Sequence, residues 1–155
     1  MKILIAIDDS PCSQAAIQSV ARQFSSSGAA VRIVHADEWP KGLPASLAFG
    51  EGPGAAADLI AARAESRRRG EQLLADAART LTAARFTVDT ELREGEAEHA
   101  ILEAAGQWRP DLIIVGSHGR RGLDRFLLGS VSERVVRHSP VSVQVVRVPD
   151  RAARA

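Results

Sequence analysis

Residues 115–132 read VGSHGRRGLDRFLLGSVS, with LIIV at 112–115 leading in and SERVVRH at 132–138 leading out. The apolar run reads as a buried strand and the segment after Gly129 as a helix, so the glycines occupy a strand-to-helix crossover. Gly116 is followed after two residues by Gly119, and after nine more by Gly129 and Ser130. Free backbone N–H groups at a helix start attract anions, and glycine lets a ligand come close to the backbone. Ser130 supplies a hydroxyl and is expected to act as the N-cap of the helix. The Walker loop is excluded, because no lysine stands between Gly129 and Ser130. The dinucleotide fingerprint is excluded too, because the local frame is Gly116-x-x-Gly119-x-x-Gly122.

Working outward, ILIAI at 3–7 is a continuous apolar run, as a central parallel strand buried on both faces requires. Asp8, Asp9, Ser10 and Pro11 end it; Ser10 is placed to cap the next helix and Pro11 to occupy its first position. Ala15, Ala16, Val20, Ala21 and Phe24 then follow at helical spacing. VRIVHA at 31–36 is a second strand, and the proline- and glycine-rich residues 37–54 form a long loop or lid. One long helix is expected over 56–84, with Gly70 as its weak point and Arg67, Arg68 and Arg69 on a solvated face. FTVDTELR alternates as an edge strand does, and Glu96 to Trp108 is a helix with Ala97, Ile101, Leu102, Ala105 and Trp108 inward. VSVQVV at 141–146 is the fifth strand. Alternating strands and helices give an α/β fold: an open five-stranded parallel sheet with helices on both faces. In such a sheet ligands sit at the carboxyl ends of the strands where strand order reverses. If strands one and four are neighbours, Asp8 and Gly116 share one crevice.

The chain has 155 residues, 45% of them hydrophobic, which is enough for one real core; a single domain is expected over 1–149 with a polar tail at 150–155. A formal charge of +1 gives no electrostatic drive toward nucleic acid or a membrane surface. Of the 20 basic residues only Lys2 and Lys41 are lysines, and Arg120, Arg121 and Arg125 fall inside the glycine loop, where a guanidinium fork suits phosphate. Cys12 is the single cysteine, so no internal disulfide forms. With no leader-like start and no apolar run of membrane-spanning length, a cytoplasmic protein is expected.

These residues resemble the universal stress protein family, whose ATP-binding branch carries Gly-x2-Gly-x9-Gly-Ser/Thr. Gly116, Gly119, Gly129 and Ser130 fill that pattern without a gap, and the likeness runs from ILIAIDDS to VSVQVV. The resemblance implies a Rossmann-like fold of the adenine nucleotide alpha hydrolase-like type and binding of ATP, accompanied by Mg²⁺, without a Walker lysine. It implies a homodimer formed through the last strand, residues 141–146. It further assigns Asp8 to the ribose hydroxyls, Ala36 to the adenine edge through its backbone, and Gly116, Gly119, Gly129 and Ser130 to the phosphate cradle. Val131 and Ser132 add backbone and hydroxyl contacts; Arg120, by its own guanidinium fork within the loop, is expected to add a side-chain contact. Asp9 stands where many relatives have glycine, and Asp124 lies within the loop; both bring negative charge toward an anionic ligand.

No metal-ligand spacing joins His35, His99, His118 and His138, and no catalytic constellation stands beside the loop. Phosphoryl transfer needs a base or a water-positioning group, and only Asp8 or Asp9 offers one. The leading expectation is a nucleotide-responsive regulator in stress adaptation, with at most weak ATP hydrolysis or self-phosphorylation. The alternatives are a slow ATPase or nucleotide-dependent enzyme of the same fold, and a dimeric interaction protein that binds no nucleotide.

Overall fold

The computed structural model describes residues 1–38, 55–117 and 128–148. The elements are β1 (Lys2–Ala6), α1 (Pro11–Gln23), β2 (Ala30–Asp37), α2 (Ala55–Ala83), β3 (Thr87–Glu94), α3 (Ala97–Trp108), β4 (Leu112–Gly116), α4 (Ser130–His138) and β5 (Ser142–Val146). All four strand pairings are parallel, in the order β3-β2-β1-β4-β5. The chain therefore grows one way from β1 to β3 and then crosses to the other side of β1. β1 and β4 are neighbours, and the reversal in strand order lies between them.

Side chains alternate across a strand, so β1 feeds two cores. Ile3, Ile5 and Ile7 pack with Ile17 and Val20 of α1 and Leu74 and Leu81 of α2. Leu4 and Ala6 pack on the other face with Ile101 and Ala104 of α3 and Val135 of α4. β1, β2 and β4 are the buried strands, while β3 is an edge with a largely polar surface. Ser10 caps α1 by accepting from the Ser13 amide at 3.2 Å, with Pro11 at the first helical position. In α1 the buried face is Ser13, Ala16, Ile17, Ser19 and Val20; Ala15 and Ala21 only border it. In α3 it is Ala100, Ile101, Ala104 and Ala105, so Leu102 sits off the core face that it was expected to join.

Two glycines are set by packing. A Cβ on Gly70 would lie 2.9 Å from both His35 Cδ2 and Leu92 Cδ1, so the expected weak point of α2 is where the helix backbone packs close against the sheet. A Cβ on Gly116 would lie 2.8 Å from Cys12 Cβ, which puts the end of β4 directly against the first turn of α1. Asp37, expected to open the lid, instead closes β2: it is buried, and its carboxylate accepts from the Ser66 hydroxyl at 2.7 Å. Residues 39–54 of the expected lid and the tail at 150–155 lie outside the described residues. Arg67, Arg68 and Arg69 are exposed and pair with Glu65 and Glu71 along the helix, as a solvated face does. Among the described residues no helix is long and apolar enough to cross a membrane.

Candidate functional site: a cleft at the reversal in strand order

A cavity of about 560 Å³ opens at the carboxyl ends of β1, β2 and β4, between the N-termini of α3 and α4. It is lined by Asp8 from the end of β1, Ala36 from β2, Gly116 from β4, and Gly129, Ser130, Val131 and Ser132 from the start of α4. Seven of the expected site residues thus meet in one place, although 108 positions separate Asp8 from Gly116. Gly119 and Arg120 lie outside the described residues, as do His118, Arg121, Asp124 and Arg125. Asp9 is exposed and does not line the cavity.

Three of the helices that start at this edge differ in how their first amides are satisfied. At α1 the Ser10 hydroxyl takes the Ser13 N–H. At α3 the Glu38 carboxylate takes the Ala97 N–H at 2.9 Å. At α4 the N-cap is Gly129, not Ser130, and no side chain caps it. Glycine and serine are both able to begin a helix, and the shift by one residue follows from the bonds made here. The Gly129 amide donates to the Ser117 carbonyl at 2.7 Å, while its own carbonyl receives Glu133 N–H at 2.9 Å. The amides of Ser130, Val131 and Ser132 precede that first intrahelical bond, so α4 presents an uncapped positive end to the cavity.

The same bonds close the two ends of the glycine loop on each other. Ser117 O accepts both the Gly129 amide and, at 3.0 Å, the Ser132 hydroxyl, which also reaches Gly129 O at 2.8 Å. Ser132 is buried, and its one proton is engaged within the protein. Opposite, Asp8 Oδ1 accepts from Ser13 Oγ at 2.6 Å and from the Ser10 amide at 3.1 Å, while the Asp8 amide donates to Ser13 Oγ at 2.9 Å. The bonds to Oδ1 fix the carboxylate and leave Oδ2 as its remaining acceptor. His35 Nδ1–H donates to the Ile7 carbonyl at 2.8 Å, which locks the ring in the floor between β1 and β2. Cys12 Sγ lies 3.6 Å from Ser117 Oγ, behind Gly116 and away from the lining.

Sequence reasoning missed four charged lining residues, Glu38, Glu96, Glu98 and Arg134. Glu38 caps α3, Glu98 pairs with Arg134 Nη1 at 3.1 Å, and Arg134 is the only lysine or arginine among the described lining residues. Glu38 and Glu98 find their partners 59 and 36 residues away, so no local pattern marks them.

The chain is matched over residues 1–147 by the model of the Universal stress protein family. A universal stress protein of Methanocaldococcus jannaschii is 30% identical over 153 residues, covering 97% of this chain and 84% of that protein. The solved structure of the universal stress protein UspA from Lactobacillus plantarum superposes with a TM-score of 0.66 at 27% identity, covering 95% of this chain and 97% of that one. A universal stress protein family protein from Arabidopsis thaliana, solved with AMP bound, shares the fold with a TM-score of 0.67 at 18% identity, covering 96% and 92% of the two chains. On its sequence, its strand order and these likenesses, the chain belongs to the universal stress protein family.

Proposed function

We propose that this protein binds ATP, accompanied by Mg²⁺, in the cleft between β1 and β4 and acts as a nucleotide-responsive regulator. The observation that carries the proposal is the uncapped N-terminus of α4 facing Asp8 across one cavity. An anion is favoured at the first and a pair of ribose hydroxyls at the second. Gly116, Gly119, Gly129 and Ser130 would hold the phosphates, helped by Arg120 and the amides of Val131 and Ser132. Ala36 would meet the adenine edge through its backbone. The AMP-bound relative supports the ligand class.

The test is calorimetric titration of ATP with Mg²⁺ into the wild type and two variants. Asp8→Asn keeps Oδ1 for Ser10 and Ser13 but places an amide donor where the ribose would donate. Gly129→Val keeps the backbone, because φ −63° suits any residue, and narrows the cleft. Saturable binding weakened tenfold or more by each change is the expected result, on the scale of one charged hydrogen bond. A wild type that binds no ATP removes the proposal.

The same reading includes a homodimer. β5 is paired only with β4 among the described strands, and its outer edge is free to add a strand from a second copy. Val148, just beyond it, is 48% exposed and Val136 on α4 is 45% exposed. Sedimentation at micromolar concentration is expected to return twice the 16.5 kDa chain mass, and a monomer would count against the pairing.

A further inference from the structure

The charges around the cleft are unevenly placed. Glu38, Glu96 and Glu98 stand along the β2–α3 wall, and Arg134 on α4 is the one lysine or arginine of the described lining. Arg134 is not free: its Nη1 is 3.1 Å from Glu98 Oε2. Glu98 is held in turn, with His138 Nδ1 3.1 Å from its other oxygen. Only 14% of the Glu98 side chain is exposed, against 61% for Arg134, so the carboxylate is the anchored partner and the guanidinium the one able to turn.

We infer that Arg134 reads the phosphates beyond the first, and that Glu98 is the counterweight that sets how strongly it does so. This rests on the nucleotide site proposed above. A single phosphate can be met by the open amides at the start of α4, whose field falls off within one turn. Further phosphates add negative charge beside a wall that already carries three carboxylates. A cation that moves toward them offsets that charge. A guanidinium has five donors, and Glu98 engages Nη1 alone, so Nη2 and Nε remain to take a second anion. Glu98 orients the group and also neutralises part of its charge. The pair therefore acts as a filter on phosphate number: AMP is insensitive to it, and ATP is sensitive.

The experiment is titration of AMP, ADP and ATP, free of Mg²⁺ and at constant ionic strength, into wild type, Arg134→Gln, Arg134→Lys and Glu98→Gln. Arg134→Gln is expected to weaken ATP about tenfold while AMP changes less than threefold. Arg134→Lys, which keeps the charge but loses the fork, falls between. Glu98→Gln is expected to tighten ATP about threefold, ADP less, and AMP least, since it frees the arginine and removes a like charge. AMP affinity also reports that each variant retains a folded site. Equal weakening of all three nucleotides by Arg134→Gln, or no change in the ATP-to-AMP ratio, overturns the filter and leaves the nucleotide site standing. A wild type that binds none of the three overturns both.

Discussion

Gly116→Val is expected to lower the thermal midpoint by about 10 °C. The new Cβ would stand 2.8 Å from Cys12 Cβ, 3.1 Å from the Cys12 carbonyl carbon and 3.3 Å from the Ser13 amide nitrogen. Two of these three neighbours are backbone, so no rotamer change relieves the contact. The backbone there is itself pinned: Ser10 caps the turn, and Ser13 exchanges hydrogen bonds with Asp8. Moving α1 away would break that set and open the core beneath Ala16 and Ile17. Overpacking of a fixed site costs about 1–3 kcal/mol, and the two further methyls of valine bring the total to about 3–4 kcal/mol. At about 2–4 °C per kcal/mol for a chain of this size, the shift is near 10 °C. Thermal and urea melts measure it directly; a shift below 2 °C would mean that α1 slides on β4 at little cost. Gly116 is consequently a poor position for testing nucleotide binding, because unfolding would mimic loss of the ligand.

That result bears on how the glycine pattern is read. From residue spacing alone, Gly116 is a phosphate-loop residue; in the fold it lines the cleft with its backbone and also admits the first turn of α1 behind it. The apolar runs at 3–7 and 112–115 were legible as buried parallel strands, which made a shared crevice for Asp8 and Gly116 conditional on their being neighbours; the β1–β4 pairing of the fold supplies that condition. The positions of Glu38, Glu98 and Arg134 could not be read in the same way. Charged residues on helix faces are ordinarily solvated; Glu98 and Arg134 line the cleft because α3 packs against α4, and Glu38, just past β2, because it reaches across to cap α3. The N-cap of α4 differed by one residue because the deciding bonds come from Ser117, twelve positions upstream of Gly129, and not from the helix itself. Ser132 shows a role that spacing does not reveal: its hydroxyl donates to Ser117 O and Gly129 O, joining the two ends of the glycine loop.

Gly70→Ala is the second large effect, and two forces of opposite sign meet in it. Helix propensity favours alanine over glycine by about 1 kcal/mol in a helix interior, so on sequence grounds the change should stabilise α2. Packing opposes it, since the added Cβ would meet His35 Cδ2 and Leu92 Cδ1 at 2.9 Å each. The Leu92 methyl can rotate away, but the His35 ring is 7% exposed and held by its bond to the Ile7 carbonyl at 2.8 Å. Shifting the ring sacrifices that bond, worth about 1 kcal/mol, and adds overpacking of about 1–3 kcal/mol. The net expectation is a loss of about 2 kcal/mol, or a midpoint lower by about 6 °C. The two contributions separate in a double-mutant cycle with His35→Ala. Removing the ring itself destabilises the floor of the cleft, but in that background Gly70→Ala no longer meets the imidazole and its helix propensity should prevail. The substitution is therefore expected to change sign, destabilising in the wild type and neutral or stabilising beside Ala at position 35. If Gly70→Ala raises the midpoint in the wild type, propensity has won and the contact between α2 and β2 is softer than its distances imply.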